Sequence, residues 1–231
     1  MKNRTVGVIC AMESEWALLS EKLQDAHASH LGGMEFRQGK IGSTRVVLAL
    51  CGIGKVFAAM CAQTMILTFS PDLILNSGVA GSLSEELGVL DLCISSALVQ
   101  HDLDTSPLGD PVGLISGINL VDLPADAEVA AALLAIAAEK GMRAVSGKIA
   151  SGDRFVADRA EKEMIGRKFG AAACEMEGAA MAQVCYCNRV PFCAVRAISD
   201  SLSGDGAMEY EAFVKKAASR SAELLLTFLG E

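Results

Sequence analysis

The sequence is poor in histidine, aromatic residues and positive charge. Three histidines occur in 231 residues, and aromatic side chains make up 5% of the chain. Acidic residues outnumber basic ones 28 to 20, a formal net charge of −8. That excess, with no basic cluster to offset it, argues against nucleic acid and anionic membrane surfaces as partners. No apolar run reaches the roughly 18 residues that a membrane-spanning helix needs. The apolar stretch 6–12 is too short for a secretory-signal core and continues straight into Glu13, so the expected location is cytoplasmic.

The eight cysteines lack the spacing of a metal site. Cys10, Cys51, Cys61, Cys93, Cys174 and Cys193 each stand singly in apolar stretches, and Cys185-Tyr-Cys187 has neither a second pair nor a nearby histidine. His27 and His30 read as members of a polar loop. The expectation is a set of buried, reduced thiols acting as small hydrophobes, with no metal and no cofactor.

What the chain has is aliphatic bulk. Hydrophobic residues account for 52% of it. Its length is enough for one α/β domain, taken as residues 1–231, with a large core. Apolar runs bounded by turn residues predict strands near 4–10, 34–39, 44–51, 72–76, 91–98, 144–150, 171–175 and 191–198. Helical spacing predicts helices near 13–24, 55–69, 125–140, 158–168, 176–188 and 209–229. Strand–helix alternation after an initial hairpin predicts a mixed central β-sheet flanked by helices. The stretch 101–124, with Pro107, Pro111 and Pro124, is the longest irregular segment. A loop of that length in a compact domain is functional or covered by a partner.

Carboxylates recur where predicted strands end. Glu13 and Glu15 follow the first strand and fall in the first turn of a helix, where the macrodipole favours anions. Glu175 and Glu177 stand at the junction of a small-residue strand and a helix. Asp200 ends Val195-Arg-Ala-Ile-Ser-Asp200, either as a cap of the next helix or as a group at the mouth of a sheet, where ligands of α/β proteins collect. Each reading is open for a single segment; three such segments together favour a site.

Glycines and an aromatic residue mark further candidates. Gly52-Ile53-Gly54-Lys55 fails the phosphate-loop pattern and reads as a tight strand-to-helix turn. Gly78-Val79-Ala80-Gly81 follows an apolar strand and would let a ligand approach the backbone. In Ser151-Gly-Asp-Arg-Phe155-Val156 the aromatic either packs in the core or stacks on a planar ligand.

Six motifs occur together: Cys10-Ala-Met-Glu-Ser-Glu15, Cys51-Gly-Ile-Gly-Lys55, Asn76-Ser-Gly-Val-Ala-Gly-Ser82, Ser151-Gly-Asp-Arg-Phe155, Cys174-Glu-Met-Glu177 and Val195-Arg-Ala-Ile-Ser-Asp200. In this order they resemble the 5'-methylthioadenosine/S-adenosylhomocysteine nucleosidases of the nucleoside phosphorylase/hydrolase superfamily. The resemblance implies a nucleoside phosphorylase-like fold and hydrolysis of a purine N-glycosidic bond without cofactor. It implies Asp200 as general acid to the purine N7 and Glu15 as general base to water. Glu177 would accept the ribose 2'- and 3'-hydroxyls, with Met12 and Met176 packed against the sugar. Phe155 would stack on adenine, the backbone of Val156 would read its edge, and Ala80 and Gly81 would flank the base. Ile53 would line the 5' side, Ser199 would fix Asp200 with help from Arg196, and Tyr210 with Phe213 would close the rim. Glu13 and Glu175 are expected to be structural or surface groups. The resemblance further implies a homodimer in which loop 101–113 reaches the partner's site. That loop carries Thr105, Leu108 and Asp110 where the family has apolar or aromatic residues, which leaves the 5' wall open.

Three rivals remain at this stage. A phosphorolytic enzyme needs arginines or amides for phosphate, and the segment 6–16 has no arginine but offers Glu15. A hydrolase of futalosine-type nucleosides would share the fold. A non-catalytic nucleoside-binding protein would not need a base beside an acid.

Overall fold

The computed structural model describes residues 4–230; residues 1–3 and 231 lie outside the described residues. The β-branched run at the start forms β1 (Thr5–Cys10), wholly buried beyond its first residue, and α1 (Glu13–Lys22) follows at once. Three antiparallel-linked strands come next: β2 (Gln24–Leu31), β3 (Met34–Ile41) and β4 (Thr44–Leu50). The chain continues through α2 (Lys55–Phe69), β5 (Leu73–Ser82), β6 (Leu92–Gln100), β7 (Leu123–Pro124) and α3 (Ala127–Glu139). It ends with β8 (Ala144–Ser151), α4 (Arg159–Phe169), β9 (Ala171–Glu175), α5 (Gly178–Asn188), β10 (Phe192–Asp200) and α6 (Gly206–Leu229).

The predicted mixed sheet with flanking helices is what the chain forms. β1 lies parallel between β4 and β5, and β10 runs parallel to β5. The ladder β5–β9–β8–β6–β10 returns to β5, so these five strands close on themselves, while β1, β4, β3 and β2 extend outward from β5. Closure removes sheet edges and leaves the central strands buried on both faces. That burial explains why they read as continuous apolar runs. Because β1, β5 and β10 are parallel, their carboxyl ends gather on one side of the sheet.

Several boundaries differ from expectation. Residues 24–31, expected as a polar loop containing His27 and His30, form the edge strand β2. Almost every residue of it is exposed, so it lacks the alternation that marks a half-buried strand. β5 continues to Ser82, through the glycines, because β10 on one side and β9 at its end keep its backbone hydrogen-bonded. α5 starts at Gly178, two residues after the expected start, and α6 at Gly206, three residues before it. Loop 101–124 holds a short 3-10 turn at Ser106–Leu108 and the two residues of β7. Seven cysteines are buried and unpaired, but Cys187 is exposed, contrary to expectation.

Candidate active site

Asp200 does not cap the helix that follows it. That task falls to Asp205, whose carboxylate accepts from Met208 N–H at 3.2 Å. Asp200 is instead the last residue of β10, paired with Gly81 of β5 just after a register shift between Ile198 and Asp200. A bulge of this kind re-aims a side chain at the end of a strand. Here it brings Ser199 Oγ to donate to Asp200 Oδ1 at 2.7 Å and to the Ala80 carbonyl at 3.3 Å. Gly81 leaves space for the carboxylate: a Cβ there would lie 2.8 Å from Asp200 Oδ2.

Glu15 occupies the third position of α1 and folds back over the helix start. Its Oε2 accepts from Ala11 and Met12 N–H at 2.9 and 3.1 Å, and Oε1 accepts from Val79 N–H at 3.1 Å. The helix-terminal role thus holds Glu15 at the strand ends, buried, while Glu13 points to solvent. Burial raises the Glu15 carboxyl above its ordinary value of 4.5, against the pull of Arg196 and the three backbone donors. Gly78 is required at this approach, because a Cβ there would stand 2.6 Å from Glu15 Oε1 and closer still to the Arg196 guanidinium.

The pair Glu175 and Glu177 divides its work. Glu175 satisfies the start of α5: its carboxylate accepts from Glu177 N–H at 3.1 Å and from Gly178 N–H at 2.8 Å. It also binds Ser151 Oγ and Arg196. Its contacts are those of a group that holds the helix start; it is buried rather than on the surface, and part of it faces the cavity described below. With the helix start satisfied by its neighbour, Glu177 is free to turn away, and its Oε1 accepts from Gly54 N–H at 2.9 Å. Burial and the adjacent Glu175 push its carboxyl up to about 7, while Arg196 and the Gly54 amide pull the other way.

Arg196 was expected to help orient Asp200; it does not. The guanidinium is buried in β10 against Asn76 and Glu175, with Glu177 Oε2 at 3.7 Å. Burial works against its charge, and the carboxylates of Glu175, Glu177 and Glu15 outweigh that cost and stabilise it. The partner of Asp200 is Lys162, whose Nζ donates to Oδ2 at 2.6 Å. Sequence reading missed this residue. Lys162 lies in a charged helix whose pattern marks a solvated surface, and no local motif links it to position 200.

These groups surround one cavity of about 440 Å³, part of it open to solvent. Glu15, Glu175, Glu177 and Asp200 line it, with Met12, Met176, Ser199, Ala80 and Gly81 between them. Ile53, Phe155 and Tyr210 form its outer wall. Phe155 is 48% exposed and meets Tyr210 edge to face at 5.2 Å, so core packing is not its role. Tyr210 O–H reaches Met12 Sδ at 3.3 Å. Val156 is buried and borders a small adjoining cleft shared with Phe155, Gly81 and Asp200. Phe213 does not line the cavity.

The family model of the Phosphorylase superfamily matches residues 5–230. The 5'-methylthioadenosine/S-adenosylhomocysteine nucleosidase of Staphylococcus carnosus is 38% identical over 225 residues, 97% of this chain and 98% of that protein. The chain belongs to this nucleosidase family. The S-adenosylhomocysteine nucleosidase of Streptococcus pyogenes, solved with 5-methylthiotubericidin, superposes with a TM-score of 0.94 at 33% identity, covering 99% of this chain and 97% of that one. The futalosine hydrolase of Helicobacter pylori gives 0.92 at 36% identity, covering 96% and 95%. Four buried carboxyl groups, Glu15, Glu175, Glu177 and Asp200, thus bound the cavity of a chain that belongs to the nucleosidase family.

Proposed function

We propose that this protein hydrolyses the N-glycosidic bond of 5'-methylthioadenosine and S-adenosylhomocysteine, releasing adenine and the 5-thio-substituted ribose. The observation that carries the reading is the placement of Glu15 and Asp200 on different elements facing one cavity, with Glu177 between. The names and bound ligand of the relatives support the same substrate class.

In this reading Asp200, paired with Lys162 in the free protein, takes up a proton from solvent as substrate binds; its O–H bond then breaks and that proton goes to N7 of the purine. The C1'–N9 electron pair leaves with the base. Water attacks C1' and gives a proton to Glu15, whose burial-raised proton affinity makes it a stronger base than an exposed glutamate. Glu177 accepts the ribose hydroxyls; those bonds favour its charged form, and the charge steadies the cationic sugar. Ile53 and Tyr210 flank the 5' substituent, Phe155 stacks on adenine and Val156 reads its edge. The logic parallels that of the paired carboxyls of glycosidases.

A second reading, hydrolysis of a futalosine-type nucleoside, is favoured by the Helicobacter pylori neighbour and by the exposed Ile53 and Phe155 on the outer wall. A purine-release assay, separating adenine from hypoxanthine, with 5'-methylthioadenosine, S-adenosylhomocysteine, inosine and a futalosine-type nucleoside, with and without phosphate, tests both. Free sugar formed without phosphate from the thio-adenosines supports the first; turnover of the futalosine type alone transfers the reading to the second. Sugar 1-phosphate as the main product overturns both.

We propose further that the chain acts as one nucleosidase domain in a cytoplasmic homodimer. Val56, Phe57 and Met60 expose an apolar strip of α2 beside Ile53, and Leu108 in loop 101–113 is 84% exposed. Apolar patches of this kind mark association surfaces. The unpaired thiols suit a reducing compartment.

A further inference from the structure

Lys162 is buried in a place that does not suit it. Its side chain is 0% exposed, and it lies in the first turn of α4, just after the capping Asp158. Burial penalises an ammonium, and the helix dipole disfavours a cation at this end. An ion pair in such a position gives little net stability over a well-packed apolar residue. The pair it makes is nevertheless complete: Nζ donates to Asp200 Oδ2 at 2.6 Å and to the Ser201 carbonyl at 2.8 Å. With Ser199 on Oδ1, both oxygens of Asp200 are held, and the carboxyl is fixed against Gly81 at the cavity wall.

We propose that Lys162 is a positioning residue for proton delivery by Asp200, fixing the carboxyl and serving as counter-ion to the carboxylate left after transfer. This rests on the hydrolytic reading above. Asp200 takes up a proton from solvent as substrate binds; its O–H bond then breaks, the N7–H bond forms, the C1'–N9 pair goes to the purine, and the carboxylate is restored. Lys162 keeps its own protons and neutralises the new charge where water cannot. It acts only through Asp200 and touches no substrate.

The test compares Lys162→Met and Lys162→Arg on two substrates, 5'-methylthioadenosine and the 4-nitrophenyl glycoside of 5-methylthioribose. Nitrophenolate leaves without a proton, so the second substrate needs no general acid. Lys162→Met is expected to lower kcat for adenine release by about 100-fold, within the range of a lost acid step, with KM changed by less than about threefold. Nitrophenolate release should fall far less, and Lys162→Arg should recover part of the adenine rate. Should Lys162→Met not fold, Lys162→Met combined with Asp200→Asn removes both charges. It is expected to match Asp200→Asn alone. Equal losses on both substrates, or near wild-type adenine release, overturn the proposal, as does a double variant much slower than Asp200→Asn. Wild-type protein that releases no adenine from 5'-methylthioadenosine overturns the hydrolytic reading instead.

Discussion

Arg196 is committed to Glu175 and stands 3.7 Å from Glu177 without a hydrogen bond to it. The nearest cation is thus shared between two carboxylates, and Glu177 receives the smaller part. Burial, and then the adjacent Glu175 carboxylate, push the Glu177 carboxyl up to about 7, and the part of Arg196 that reaches it does not cancel them.

A stability measurement follows from that value. The folded protein keeps a proton on Glu177 up to about 7, whereas the unfolded chain releases it near 4.5. Between those values the folded state binds more protons, so stability falls as pH rises through the window and levels off above it. Glu177→Gln keeps the acceptor for Gly54 and lacks the charge. Its advantage over wild type should grow from pH 5 to pH 8 to about 2 kcal/mol, read as roughly 4–8 °C in Tm. A constant difference across that range would contradict the assignment. The same variant should lose most activity.

Glu15 and Glu13 form an internal control. Glu15→Gln should reduce kcat by about 10²–10⁴-fold, while Glu13→Gln, changed at an exposed position, should stay within about twofold of wild type. A base must be ionised to act. With the Glu15 carboxyl raised above 4.5, kcat/KM should fall on the acid side at a pH higher than an exposed glutamate would give. A Glu13 variant more damaged than the Glu15 variant would reverse the roles.

Asp200→Asn should lower adenine release by about 10²–10⁴-fold, because an amide cannot supply the proton. It also leaves Lys162 without its buried counter-ion, so Tm should fall, by an amount reflecting about 3 kcal/mol or more. Circular dichroism should still show the folded signal. Turnover near the wild-type rate would remove Asp200 from the chemistry.

Replacing Phe57 and Met60 by lysine charges the exposed strip of α2. Light scattering should report a dimer for wild type and a smaller species for the double variant. Adenine release should fall with it, since loop 101–113 is proposed to complete the partner's site. A fully active wild-type monomer at assay concentration would refute the assembly.

Sequence alone determined the six helices, the strands other than β2 and β7, and the three places where carboxylates follow strands. Those signals are local: a buried strand is an apolar run, and a strand-to-helix turn keeps its glycines and acids within a few residues. It did not decide between Asp200 as cap and Asp200 as wall of a cavity, because both need a carboxylate after a strand. The bulge in β10 and the cap at Asp205 decided it. β2 escaped notice because an exposed edge strand needs only backbone partners, which leave no side-chain pattern. Lys162 escaped because its meaning lies 38 residues away in Asp200. Only the packing of α4 against the strand ends turns a lysine that reads as surface into the buried partner of an acid.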